Sequence, residues 1–196
     1  MQDYVVIDLE MTGLNVKTDH ILEVGAVKVR NHHAVDQFGA ILRQNIKIPE
    51  KVTELTGITE TMVQEGAEKE NAMKQFFEFI GDDIIVGQNV IFDYSFLKQW
   101  AVNYNMPLER NAVDTLKLAR KFLPREQKKD LESLCAYFGV KRENAHRAFH
   151  DAYETWQVYE ALRERYEEEH AEDFLPKPLL YKVKKQTPAT ARQMKY

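Results

Sequence analysis

The chain has a single cysteine, no long apolar run and no basic leader ahead of an apolar segment, and each absence removes a class of protein. Cys135 is alone among 196 residues. No internal disulfide can form, and a reducing, cytoplasmic setting is expected. Cys135 lies in Leu131-Glu132-Ser133-Leu134-Cys135, an apolar helical stretch where a buried small side chain is expected rather than a reactive thiol. Without an apolar stretch of about 18 residues or more, no membrane-spanning helix and no membrane partner is expected. The opening Met1-Gln2-Asp3-Tyr4-Val5-Val6 does not read as a secretory signal. One region lacks charge of one sign. From Phe174 onward there are six Lys or Arg residues and no Asp or Glu.

That asymmetry hides inside a net charge of −4. The first 173 residues carry 21 basic and 31 acidic side chains. Such an acidic body can still bind a polyanion if its excess carboxylates hold cations. Apolar residues make up 44% of the chain, enough for a sizeable core. The length suits one domain with an appendage: a domain over 1–173 and a basic, proline-containing tail over 174–196.

Tyr4-Val5-Val6-Ile7 is a short β-branched run, the mark of a strand buried on both faces. Asp8-Leu9-Glu10 closes it and Thr12-Gly13 turns the chain. Ile21 to Val29 and Ala34 to Arg43 read as second and third strands in an antiparallel meander, joined by a polar turn at Asn31-His32-His33. From Pro49 the spacing becomes helical, with Ala72, Phe76, Phe79 and Ile80 on one face. Ile84 to Gly87 reads as a buried strand, Asp93 to Tyr104 as a helix, and Ala112 to Asp114 as a short fifth strand. The remainder is mainly helical, broken near Pro124 and Gly139, with a last long helix over Phe149 to Glu169. The fold class expected is α/β: a mixed five-stranded sheet flanked by helices.

Chemistry concentrates in the carboxylates. Residues two apart in a strand share a face, so Asp8 and Glu10 project together from the end of an apolar strand. Two carboxylates held so close repel, and in a low-dielectric setting they share a proton or recruit a cation. A hard divalent ion such as Mg²⁺ or Mn²⁺ suits oxygen ligands. Asp93 stands at a strand–helix junction, where ligands of α/β sheets bind, although a helix cap would also explain it. Asp151 opens the last helix five residues after His146, and a helix-capping or dipole role explains it almost as well.

These residues lie in three ordered blocks: Val6-Ile7-Asp8-Leu9-Glu10-Met11-Thr12-Gly13-Leu14, Asn89-Val90-Ile91-Phe92-Asp93, and His146-Arg147-Ala148-Phe149-His150-Asp151-Ala152. Together they resemble the DEDDh (DnaQ-like) 3′→5′ exonucleases, which include the proofreading subunit of bacterial replicative DNA polymerase, over roughly Asp3 to Leu162. Glu54-Leu55-Thr56-Gly57-Ile58-Thr59 also resembles the proofreading domain built into Gram-positive replicative polymerases. The resemblance implies a ribonuclease H-like fold and two divalent ions held by Asp8, Glu10, Asp93 and Asp151, with His146 as general base. It implies that Thr12 and Leu14 contact the terminal nucleotide, within a substrate-binding set of Met11, Thr12, Gly13, Leu14, Asn89 and Phe92. Met11, Gln88 and His150 depart from the family pattern without removing a metal ligand.

The expected partner is the 3′ end of a nucleic acid, single-stranded DNA ahead of RNA. An exoribonuclease with the same active-site residues remains an alternative, as does a non-catalytic nucleic-acid or polymerase-binding module. His150-Asp151 also invites comparison with His-Asp phosphohydrolases, but those are essentially all helical and the opening strands argue against them. Arg125, Lys128, Lys129 and Arg147 are candidate phosphate contacts. The tail holds nucleic acid, docks on a DNA polymerase or other replication protein through Leu179-Leu180-Tyr181, or is a plain disordered end.

Overall fold

The computed structural model describes residues 1–106, 108–174 and 176, with the backbone of 179–180. Strands β1 (Tyr4–Met11), β2 (Ile21–Arg30) and β3 (His33–Ile41) form the expected antiparallel meander. Helices α1 (Glu50–Thr56), α2 (Glu60–Gln64) and α3 (Lys69–Ile80) follow, then β4 (Ile85–Gly87), α4 (Ile91–Asn103) and β5 (Asn111–Asp114). Helices α5 (Thr115–Phe122), α6 (Leu131–Phe138) and α7 (Ala148–His170) complete the body. The sheet runs β3-β2-β1-β4-β5, with β4 parallel to both β1 and β5. The five expected strands are all present. A two-residue strand in the tail, β6 (Leu179–Leu180), adds antiparallel to the β5 edge.

The alternation of β1 explains how the layers assemble. Val5, Ile7 and Leu9 pack with Met73, Phe76 and Ile80 of α3 and with Tyr94 and Leu97 of α4. Tyr4 and Val6 point the other way, into a cluster with Val27, Val86, Val113, and with Ala152 and Tyr159 of α7. Both faces of the strand are therefore covered, which is why its sequence is apolar without a break until Asp8. By the same parity Asp8 and Glu10 belong to the α7 face. The strand runs on through them, because Asp8 pairs with Gly25, Leu9 with Val24 and Glu10 with Glu23.

The helix ends match their chemistry. The Asp130 side chain accepts from the Ser133 amide at the start of α6, and Gly139, with φ of 71°, closes it. Cys135 is buried inside that helix and burial pushes its thiol up to about 12, as befits an inert core residue. Phe174, where the tail begins, is buried against the rings of Phe122, Tyr159 and Tyr166. Residues 181–196 and the side chains of Leu179 and Leu180 lie outside the described residues, and with them the expected docking patch.

Candidate active site

The three sequence blocks converge at the C-terminal end of β1. Asp8 and Glu10 come from the strand, and Asp151 from the first turn of α7, which lies across it. Each offers a carboxylate oxygen, and these three oxygens lie within 4.8 Å of one another. Asp93 sits in the first turn of α4 and reaches the same strand from its other side. It does not cap its helix. Its Oδ1 accepts the Leu9 amide at 3.0 Å, between Asp8 and Glu10 in sequence.

Burial and mutual repulsion set the electrostatics. Desolvation raises the Asp8 pKa well above its usual value, and the charges of Asp93, Glu10, Asp151 and Glu23 add to it. Glu10 is pushed up to about 8, first by desolvation and then by Asp151, Glu23 and Asp93, with Arg147 opposing. Asp93 rises to about 7, chiefly by desolvation, although its backbone hydrogen bonds hold it back. Such a group of desolvated carboxylates, half-buried at Asp8 and Glu10 and buried at Asp93 and Asp151, is unfavourable unless protons or cations neutralise it. Its all-oxygen donor set fits hard divalent ions.

His146 reaches the site through its backbone. Its amide donates to Asp151 Oδ1 at 3.2 Å, and its φ of 61° places it in the left-handed region. His150, one residue before Asp151, is turned elsewhere: its Nε2 meets Asn144 Nδ2 at 3.4 Å, outside the carboxylate group. That separation, and the six-stranded sheet, dispose of the phosphohydrolase comparison.

The candidate substrate residues differ in exposure and in what they touch. Leu14 and Phe92 are exposed apolar side chains, 62% and 38% accessible. The Thr12 hydroxyl is taken up inside its own turn, accepting from the His20 amide at 2.9 Å and donating to Asp19 Oδ1 at 3.3 Å. Gly13 lies so close to Asp19 that a Cβ there would stand 2.5 Å from its Oδ2. Met11 ends β1, where the β1–β2 register shifts. Asn89 adopts φ of 54°, and its amide donates to Asp114 Oδ1 at 3.0 Å.

Several residues that support the site were not read from sequence. Arg142 bridges Asp151 Oδ1 at 2.8 Å and Glu154 Oε2 at 2.7 Å. Glu23, on β2 opposite Glu10, pairs with Arg147 at 2.8 Å and accepts the Ala148 amide at 3.0 Å. Arg147, a candidate phosphate contact, is thus already engaged. Lys129 is similarly turned onto the Pro124 carbonyl at 2.6 Å, whereas Arg125 and Lys128 are exposed. One signal could have found Glu23: an acid inside the apolar run Ile21-Leu22-Glu23-Val24 needs a partner.

A model of the family described as "Exonuclease" (RNase_T) matches residues 5–159, which span the carboxylates and His146. The chain belongs to this exonuclease family. The DNA polymerase III subunit epsilon of Aquifex aeolicus is 35% identical over 157 residues, covering 80% of this chain and 78% of that protein. The PolC-type DNA polymerases III of Clostridium perfringens and Bacillus subtilis are 35% and 37% identical over 85% and 76% of the chain. The chain corresponds to only 12% and 11% of their lengths. Among solved structures, Escherichia coli exonuclease I in complex with a dA16 oligonucleotide superimposes with a TM-score of 0.73 at 17% identity, over 84% of this chain and 41% of that one. Exonuclease X in complex with 5′-overhanging duplex DNA gives 0.66 at 22% identity, over 83% and 92%. The fold of this exonuclease-family chain is therefore ribonuclease H-like, and no described helix is long and apolar enough to cross a membrane.

Proposed function

We propose that the chain is a metal-dependent 3′→5′ exonuclease that removes nucleoside 5′-monophosphates from DNA ends, in proofreading or repair. The observation that carries this reading is the convergence of Asp8, Glu10 and Asp151, with Asp93 alongside, where desolvation and neighbouring charges raise the pKa values of Asp8, Glu10 and Asp93. These four residues would hold two divalent ions, Mg²⁺ or Mn²⁺. When bound, the ions supply Lewis acidity at the scissile phosphate and acidify an attacking water.

The remaining roles fall to the chain itself. His146 accepts the proton of the attacking water, the part that imidazole side chains most often play in general-base catalysis. The water oxygen bonds to phosphorus, the bond to the penultimate 3′ oxygen breaks, and the terminal nucleotide leaves with a 5′-phosphate. Leu14 and Phe92 offer apolar contact to the last base. Met11, Thr12, Gly13 and Asn89 complete the substrate-binding set, with the Thr12 hydroxyl holding the turn in shape. The kinship with DNA polymerase III chains supports DNA over RNA as substrate and a replicative polymerase as partner.

A time course on 5′-labelled single-stranded DNA and RNA with Mg²⁺ tests the reading. The expected result is a ladder of labelled products shortening one nucleotide at a time, faster on DNA and abolished by EDTA or by Asp8→Ala. Immediate release of a labelled mononucleotide would mean the opposite polarity. Hydrolysis that survives Asp8→Ala would dismiss the site.

A further inference from the structure

Resting on the reading of His146 as the base, we propose that Glu23 is a positioning residue that sets the His146 loop, acting on turnover through His146 and not through the ion-binding carboxylates. The loop needs such a device. Asn144 and His146 both lie in the left-handed region, at φ of 52° and 61°, and neither is glycine. Backbone of that kind persists only where its surroundings over-determine it.

Two anchors hold His146. One is the bond from its amide to Asp151 Oδ1. That oxygen belongs to the carboxylate group, so its geometry is shared with the ions. The other lies on the C-terminal side and makes no use of a proposed ligand. Arg147, the N-cap of α7, has no side-chain cap of its own. Glu23, 124 residues earlier in the chain, takes over the task. Its Oε1 and Oε2 receive Arg147 Nη2 at 2.8 Å and Nε at 3.0 Å, and Oε2 also receives the Ala148 amide at 3.0 Å. A charge-assisted fork of this kind fixes direction as well as distance.

The rest of β2 is shaped for the same docking. Gly25 follows Glu23 by two residues and shares its face. A Cβ there would stand 2.2 Å from the Ala148 carbonyl carbon and 2.3 Å from the Phe149 amide nitrogen. The start of α7 thus rests directly on bare backbone, with Glu23 gripping it one step along the strand. Glu23 is also the cross-strand neighbour of Glu10, so a route through the ion site is the rival explanation. The experiment separates the two.

The test is a double-mutant cycle on the full chain in single-turnover mode, together with Mn²⁺ binding by calorimetry. Glu23→Gln keeps the size and an acceptor oxygen but loses the charged fork. Arg147→Gln breaks the same pair from its more accessible partner and guards against misfolding of the buried variant. Each is expected to lower kcat by about 10-fold with KM nearly unchanged, the loss of one charge-assisted contact. In a His146→Ala background the same substitutions are expected to cost less than about 2-fold, because residues acting as a unit are not additive. Glu23 and Arg147 also act on Glu10 through their charges, so Mn²⁺ binding is expected to shift by only a few-fold and in opposite directions, weaker without the Glu23 charge and tighter without that of Arg147. Equal costs in both backgrounds, or Mn²⁺ binding weakened in both variants, would overturn the proposal. A His146→Ala enzyme as fast as wild type would instead remove His146 as the base, and the role given to Glu23 would fall with it.

Discussion

The Asp93 carboxylate accepts the Leu9 amide across 3.0 Å, tying the first turn of α4 to the middle of the Asp8-Leu9-Glu10 segment. Asp93 therefore has a structural bond and a charge, and two substitutions separate them. Asp93→Asn keeps an acceptor oxygen. It is expected to lose turnover by ~100-fold or more, as for removal of a residue of the catalytic unit, with unfolding temperature at or above wild type without metal. Asp93→Ala is expected to lose turnover equally and to destabilise by a further ~1–3 kcal/mol, since the Leu9 amide is left buried without that partner. Thermal unfolding in EDTA alongside single-turnover rates measures both. Equal stabilities of the two variants would show that the hydrogen bond contributes nothing.

Legibility in the sequence followed the range of the interaction. The Asp8–Glu10 pair was readable because strand parity is local, and the apolar run before it announced a buried strand. Asp151 stands at a helix start, where a cap or dipole role suits an acid nearly as well, and only the resemblance of its block to the exonucleases singled it out. Asp93 was ambiguous: its position suits a cap, and only the fold reveals that its partner is Leu9, 84 residues away. Glu23 and Arg142 were missed because each derives its role from a distant segment. Arg142 looked like one charge among many in Val140-Lys141-Arg142-Glu143, yet it faces Asp151 and the buried Glu154. The strand β6 was missed because two residues carry no periodicity. Its pairing comes from the exposed edge of β5.

The raised carboxylate pKa values predict an inverted pH response without metal. Glu10 titrates at about 8 in the folded chain and Asp93 at about 7, against ordinary values of 4.5 and 3.8. In each case folding favours the protonated form. The stability this contributes is fully present below the ordinary value and is lost as pH rises through the folded value. In EDTA the unfolding temperature is therefore expected to fall between about pH 5 and about pH 8. Mn²⁺ binds the deprotonated carboxylates and is expected to raise that temperature strongly at the upper pH and little at the lower one. A metal-induced shift that is the same at both ends would contradict the coupling.

His146→Ala is expected to lower turnover by ~100-fold or more while leaving Mn²⁺ affinity in place, as for loss of a general base. Its amide bond to Asp151 belongs to the backbone and survives the substitution. The combination therefore separates proton transfer from ion binding. Single-turnover rates and calorimetry on the same preparation supply the two readings, and an unchanged rate would take His146 out of the reaction.

Arg142 is expected to trade ion affinity for stability. Its guanidinium spans Asp151 Oδ1 and Glu154 Oε2, and the Glu154 side chain is only 2% exposed. Arg142→Gln leaves Glu154 with the Glu143 amide at 3.1 Å but without its counter-charge. Breaking a fully buried pair costs about 3–5 kcal/mol, and the partial exposure of Arg142 brings the expected loss of apo stability to about 2–3 kcal/mol. The same change frees Asp151 Oδ1 from a competing cation. If the hydrogen bond surrendered is worth a net ~1 kcal/mol, Mn²⁺ binds about 5-fold more tightly. Chemical denaturation in EDTA and calorimetric titration with Mn²⁺ test the two halves. Weaker Mn²⁺ binding would mean that Arg142 orients Asp151 for the ions instead of competing with them.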